Sequence, residues 1–228
     1  MSSPVISLNH VVKTYATRDA EVRALDDVTF TAGRGEFISL VGRSGCGKTT
    51  LLNLAGAMDF PTSGEVQIAG RSTANLSDVE LTGIRRLQVG FIFQFFQLLP
   101  TLTAAENVEL PLQLAGTPDP RPAALERLAW VDLDGYGDRL PHQLSGGQMQ
   151  RVAIARALVH KPALLLADEP VGNLDSVSAQ VVMELLRRVA DEFETTILMA
   201  THSLETAEVT DAVVALRDGR IEEHRTLK

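Results

Sequence analysis

The segment Gly42-Arg43-Ser44-Gly45-Cys46-Gly47-Lys48-Thr49 has the spacing GxxxxGK[ST]. Glycines at these places let successive backbone N–H groups curl around an anion without a Cβ in the way. Lys48 is a cation long enough to reach the outer phosphates of a nucleotide, and the Thr49 hydroxyl is a hard oxygen ligand for Mg²⁺. Thr50 follows at the start of the same helix. The apolar run EFISLV, Glu36 to Val41, leads into the loop, and the helical stretch Thr49 to Met58 leads out of it. That strand–loop–helix order confirms the motif, because a helix N-terminus adds unpaired donors and a positive dipole end. Cys46 lies inside the loop. It is either an inert small residue or a thiol activated by the helix N-terminus.

A second constellation is ALLLADEP, residues 163–170: an apolar strand that ends in Asp168 and Glu169. Carboxylates often merely close a strand at its solvated end. Downstream of a phosphate loop they suit metal-assisted hydrolysis, with Asp168 toward Mg²⁺ and Glu169 as the base that polarises water. The third is Leu144-Ser145-Gly146-Gly147-Gln148, a second Gly-rich helix start with Ser145 as N-cap, and so a second anion site on one chain.

These residues need elements to hold them. Val5 to Val12 and Val22 to Phe30 read as strands, separated by a polar turn around Thr17 to Ala20. Pro61 to Gly64 is a turn, Glu65 to Ile68 a strand, Ser77 to Leu87 a polar helix, and Val89 to Phe93 a strand ending at Gln94. From Thr103 to about Leu140 the chain reads as short helices broken by Pro and Gly. A helical insert over about 95–140 is therefore expected within a core made of 1–94 and 141–228. The core resumes with a helix from Gly146 to His160, the strand Ala163 to Ala167, a helix from Ser176 to Glu192 and the strand Thr196 to Ala200. Asp218-Gly219 marks a hairpin between Asp211–Leu216 and Arg220–Glu223. Strands alternating with helices predict an α/β fold, with a mostly parallel sheet and ligands at the strand C-termini.

LSGGQ at Leu144 to Gln148, after the phosphate loop and before the DE pair, resembles the signature of the ABC ATPases. The resemblance covers nearly the whole chain, with the motifs in the family's order. It implies one domain, 1–228: a P-loop NTPase (RecA-like) core with an N-terminal antiparallel β subdomain and a helical subdomain. It implies ATP and Mg²⁺. Gly42, Ser44, Gly45, Cys46, Gly47, Lys48, Thr49 and Thr50 then hold the nucleotide, and Thr49, Gln94 and Asp168 hold the metal. Tyr15 sits where the family stacks an aromatic on adenine. Gln94 matches the glutamine that senses Mg²⁺ or water, and His202 matches the switch histidine at the γ-phosphate. Lys48, Gln94, Glu169 and His202 form the catalytic set. Gly172-Asn173-Leu174-Asp175 resembles the loop that couples two sites across a dimer. Ser145, Gly146, Gly147 and Gln148 would meet the ATP held by the other copy. Taken singly, Tyr15 reads as a surface aromatic and His202 as a solvated histidine.

AEVRALDDVTF, LLNLAGAMDFPTSGEV, FIFQFFQLLPTLTAAENVELPL and ADEPVGNLDS look like the lipoprotein-release, macrolide-export and antimicrobial-peptide-resistance branch, with the related cell-division type. That branch implies a separate transmembrane permease, a homodimer or a heterodimer with a similar subunit, and a peripheral place on the cytoplasmic face of the inner membrane. It implies export, or force transmission, acting on lipoprotein, drug or peptide. Val171 departs from the Thr or Ser usual there, and Met149 from a polar residue. Composition agrees: 228 residues at 45% hydrophobic can build a sizeable core. A net charge of −8 without a basic stripe argues against a nucleic-acid partner. With one cysteine no intramolecular disulfide forms. No signal peptide is legible at the start, no apolar run approaches the ~20 residues of a membrane span, and no regulatory domain follows the last hairpin. The rival readings are a soluble ABC ATPase acting on nucleic acid or ribosomes, and a small P-loop kinase. The absence of a heptad run weighs against the first, and LSGGQ against the second.

Overall fold

The computed structural model describes residues 3–16 and 20–227; most of the turn expected around Thr17 to Ala20 lies outside them. The first two strands, β1 (Ile6–Ala16) and β2 (Glu21–Ala32), pair antiparallel, and with β4 (Ser63–Ile68) and β5 (Arg71–Ser72) form a four-stranded sheet of order β2-β1-β4-β5. A six-stranded sheet follows the order β10-β9-β3-β8-β7-β6, built from β3 (Phe37–Val41), β6 (Val89–Ile92), β7 (Leu164–Asp168), β8 (Thr196–Thr201), β9 (Ala212–Arg217) and β10 (Arg220–Thr226). All its neighbours run parallel except the β9–β10 hairpin. The hairpin turns at Asp218 and Gly219, φ 46° and 79°, the left-handed pair that a two-residue turn of this twist needs.

The apolar runs of the central strands follow from cover on both faces. Ile38, Leu40, Leu164, Leu166, Leu198 and Ala200 face one way, onto β1, β2 and the helix α1 (Lys48–Ala55). Phe37, Leu165, Ala167, Ile197 and Met199 face the other way, onto α3 (Ala104–Leu114), α4 (Arg121–Trp130), α5 (Gly146–Leu158) and α6 (Ser176–Phe193). A short α2 (Asp78–Gln88) precedes β6, and α7 (Leu204–Ala207) follows β8. The helices α3 and α4 of the expected insert pack on α5, so one apolar cluster joins them to the sheet.

Side chains cap most helix starts. Ser77 with Glu80, Thr103 with Glu106 and Ser145 with Gln148 form reciprocal capping boxes on α2, α3 and α5, and Asp175 caps α6. The sequence reading differs in detail. The expected turn at Pro61 to Gly64 gives way at Ser63, where β4 begins, and β5 and α7 were not anticipated. These two are too short for periodicity to show, as is the 3-10 turn at Pro141–Gln143.

Leu198 is fully buried on the central strand β8. Leu198→Ala should lower the unfolding free energy by about 2–5 kcal/mol. Val79→Ala, at a position 81% exposed, should change it by less than ~0.5 kcal/mol. Urea unfolding curves give both values.

Candidate functional site

The strand register places the site. Val41 pairs with Thr201, and Asp168 pairs with Ala200, so the residues that leave these three strands emerge at one edge of the sheet. They are Gly42, His202 and Glu169. Unlike the capped helices, α1 opens on Gly47, φ 110°, with no side-chain cap hydrogen bond. Its first N–H groups are left for an anion. A Cβ at Gly47 would stand 2.6 Å from the Ala24 carbonyl oxygen, so both backbone and space demand glycine there. Lys48 is 7% exposed and folds back over the loop, where its ammonium donates to the carbonyls of Gly42 (2.7 Å) and Arg43 (3.2 Å). Cys46 is buried, its sulfur 4.0 Å from Lys48 Nζ.

Thr49 Oγ1 donates to Asp168 Oδ2 at 3.0 Å, which ties the loop to the end of β7. Burial pushes the Asp168 carboxyl above its usual range and the neighbouring Glu169 adds to this, while Thr49 and Lys48 oppose it. Glu169 has φ 48°, a left-handed conformation that costs about 1–3 kcal/mol in a residue with a side chain. Its N–H donates to Ala200 O (3.0 Å) and its carbonyl accepts from Gly172 N–H (3.1 Å), which holds it there. Its Oε2 lies 3.4 Å from His202 Nδ1. A Cβ on Gly172 would fall 3.2 Å from Gln94 Nε2 and 3.4 Å from Glu169 Oε2, so Gly172 keeps open the space between the two. Asn173 Nδ2 donates to the Gln94 carbonyl at 3.0 Å and Gln150 Nε2 to that of Pro170 at 2.6 Å. These bonds lock the segments after β6 and β7.

A cavity of about 810 Å³ opens beside the loop, lined by Gly42 to Cys46, by His202 and by the β9–β10 turn from Leu216 to Asp218. Tyr15 borders α1: its hydroxyl is hydrogen-bonded to Asp59 at 2.7 Å and contacts the Thr50 side chain. Lys13 Nζ sits 4.7 Å from the Tyr15 ring centre and 2.6 Å from Asp59. Burial and Asp59 together raise the Tyr15 pKa.

Lys48, Thr49, Asp168, Glu169, His202 and Gln94 thus converge, with Tyr15 and Thr50 at their border. Ser145 to Gln148 do not join them through any described hydrogen bond. Ser145 accepts from Gln148 N–H (3.3 Å), and Gln148 Oε1 accepts from Ser145 N–H (2.8 Å). Gly146 faces Leu174 and Phe96, and a Cβ on Gly147 would meet Ser178 Oγ at 2.7 Å. Asp175 accepts from Ser178 N–H and Oγ at 2.9 and 2.7 Å, and these bonds hold its carboxyl below the usual range. The sequence reading passed over Asp59, Gln150 and the cavity wall at Leu216 to Asp218. Only the Asp218-Gly219 turn signal marked that wall, and it spoke for a hairpin rather than a site.

The donors fit Mg²⁺. Thr49 and Asp168 offer two oxygens side by side, and among the described residues no cluster of three or more His, Cys, Asp or Glu stands ready to cage a metal. Mg²⁺ is commonly held by one or two protein oxygens, with water and phosphate as the rest.

Comparison with known proteins shows the family. Residues 25–172 match the family model described as ABC transporter. The chain is 44% identical over 231 residues to the uncharacterised ABC transporter ATP-binding protein MJ0796 of Methanocaldococcus jannaschii, covering 98% of each. It is 42% identical over 222 residues to the macrolide export ATP-binding/permease protein MacB of Chlorobaculum tepidum, covering 97% of this chain and 34% of that one, so it spans about a third of that protein. A solved dimer of MJ0796, in a post-hydrolysis state bound to ADP and Pi, gives a TM-score of 0.89 at 42% identity and covers 98% of this chain and 99% of that one.

Burial that raises the Asp168 pKa above 3.8 has a consequence for stability. Well below pH ~4 the carboxyl is neutral whether folded or unfolded and costs nothing. As pH rises through the folded pKa, it ionises in a place that disfavours charge, and the stability of the neutral form is lost. Asp168→Asn, which never ionises, should therefore be more stable than the parent at neutral pH. That gain should shrink toward pH ~4. Urea midpoints across pH check this, and a less stable Asn variant at neutral pH would contradict it.

Proposed function

This chain belongs to the ABC transporter ATP-binding family and is an ATP-hydrolysing cassette, and we propose on that premise that two copies close around ATP to drive a separate membrane permease. The observation that carries the reading is the convergence of Thr49, Asp168, Glu169 and His202 beside an uncapped helix start. Lys48 and the loop N–H groups take the phosphates, the ammonium exchanging its carbonyl partners for phosphate oxygens. Thr49, Asp168 and Gln94 would hold Mg²⁺, which supplies charge neutralisation on the phosphate oxygens. Glu169 accepts a proton from water as that water's oxygen attacks the γ-phosphorus. The bond from the γ-phosphorus to the bridging oxygen breaks, and its electron pair leaves with ADP. His202, on a neighbouring strand end, holds Glu169 and the γ-phosphate in line.

The second helix start supports the dimer. The capping box uses the Ser145 and Gln148 N–H groups and leaves those of Gly146 and Gly147, with the Ser145 hydroxyl proton, for an anion, and no described hydrogen bond ties them to the phosphate loop of their own chain. In a two-fold pair each such start serves the partner's nucleotide, so each is used once. Asp175, at the start of α6, would couple the two sites. The dimeric cassette among the relatives, bound to ADP and Pi, is consistent with this.

The permease contact is supported by a groove of about 610 Å³ between β6 and α3, lined in part by Phe91, Phe93, Leu99, Leu110, Leu114 and Arg156. Phe95 and Leu114 are 67% and 61% exposed, on the segment that follows Gln94 and at the end of α3. Arg156 donates to the Gln97 and Phe96 carbonyls (2.6 and 2.9 Å), so this segment is fixed to α5 and would move with it. Among the described residues no helix is long and apolar enough to cross a membrane, so a permease would hold the chain there as a peripheral subunit. The MacB relative, a macrolide export protein by name, supports export; force transmission and a drug, peptide or lipoprotein cargo rest on the branch that the sequence resembles. Residues 95–140, together with the α5 helix they pack on, would be the part that moves against the rest of the chain.

Glu169→Gln keeps the shape of the side chain and removes its basicity. Its ATPase rate should fall by about 100-fold or more, while ATP and Mg²⁺ shift it to a dimer on gel filtration. A monomer that turns ATP over at the parent's rate would show that the base is misassigned.

A further inference from the structure

At the N-terminal edge of the parallel strands, away from the nucleotide edge, lies a second cavity of about 550 Å³. Its walls come from α4, the end of α5 and the turns into β7 and β8. They include Trp130, Leu158, Pro162 and Phe193, with Arg127 and Lys161 as cations and Glu126 as the one carboxylate among the described lining residues. This size and makeup, mostly apolar with a few polar groups, is that of a small-molecule pocket.

Arg127 is the unusual member. As a residue it is 8% exposed and makes no described hydrogen bond or ion pair, while its guanidinium nitrogens are not among the fully buried unpartnered atoms and so still reach solvent. It stacks instead on the Phe193 ring at 4.6 Å, with Trp130 at 5.9 Å. On α6, Glu192 is committed to Trp130 Nε1 (2.9 Å) and Arg188 (3.1 Å). Asp191, one residue before it, pairs with Arg187. Glu126 is exposed and acts on Arg127 only through its charge. Burial accordingly lowers the Arg127 pKa. A guanidinium in a largely apolar setting whose donors meet only solvent gains by pairing with an anion. Stacking occupies one face of the plane and leaves the N–H edge free for an anion.

We propose that this cavity binds a small amphipathic carboxylate, its apolar body against Trp130, Leu158 and Phe193 and its carboxylate on Arg127. Lys161, exposed at the rim and without an ion-pair partner among the described residues, adds attraction for the anion. The ligand would bridge α4 to the turn that joins α6 and β8.

Trp130 is the only tryptophan, so its fluorescence reads the pocket directly. The probe is phenylbutyrate, titrated into the whole chain, with phenylbutanol as its uncharged counterpart and calorimetry in parallel. The acid should change Trp130 emission saturably and bind about tenfold or more tighter than the alcohol, as a charge-assisted pair implies. Saturating ADP should not displace it. Arg127→Met, which keeps an apolar stem, should abolish the preference for acid over alcohol in calorimetry. Absence of saturable binding, equal affinity for acid and alcohol, or displacement by ADP would each overturn the proposal on the unmodified protein alone.

Discussion

The proposed base, the phosphate-binding loop and the proposed switch histidine can act on one bond only if three separate strands deliver them to one edge. The parallel pairing of β3 with β8, and of β8 with β7, does this. The side-chain period of a strand is two, so a slip of one residue would turn Asp168 and its neighbours to the wrong face. The register is secured by burial on both faces: Leu164, Leu166 and Leu198 on one side, Leu165 and Ile197 on the other. The Thr49–Asp168 hydrogen bond then closes the link between loop and strand. Core packing and catalytic geometry are therefore one constraint. A core substitution that shifts β7 along β8 would move the carboxylates as well.

Much of this was legible in the sequence because the relevant signals are local. The GxxxxGK[ST] spacing, the apolar run before it and the DE pair at the end of ALLLA each fix a strand end or a helix start. Phe37–Val41 and Leu164–Asp168 were found almost to the residue for that reason. The Asp218-Gly219 turn was equally plain. Other features depend on distant partners. Asp59 anchors Tyr15 from 44 positions away, and the cavity wall at Leu216 to Asp218 reaches the loop only through the folded hairpin. The Arg127 pocket was invisible too, since nothing in RLAW announces that an arginine will be buried over Phe193.

The site also carries its own strain and its own reserve of charge. Glu169 stays left-handed because Ala200 and Gly172 clamp it on both sides. Lys48 is held on loop carbonyls, so a nucleotide meets a cation already positioned near its path. Only the second glycine-rich helix start stands apart, with its capping box complete and its neighbours drawn from α6 and the segment after β6. That separation is what a site shared between two copies requires.

Mixing two inactive variants tests this sharing most directly. Lys48→Ala disables the loop, and Ser145→Arg disables the second helix start. Each alone should lose ATPase activity, because every site in its homodimer has one broken half. Mixed, the two chains should regain part of the activity, since one site of each mixed dimer combines an intact loop with an intact Ser145. No recovery on mixing, with mixed dimers shown to form, would contradict the account and place both halves of the site on one chain.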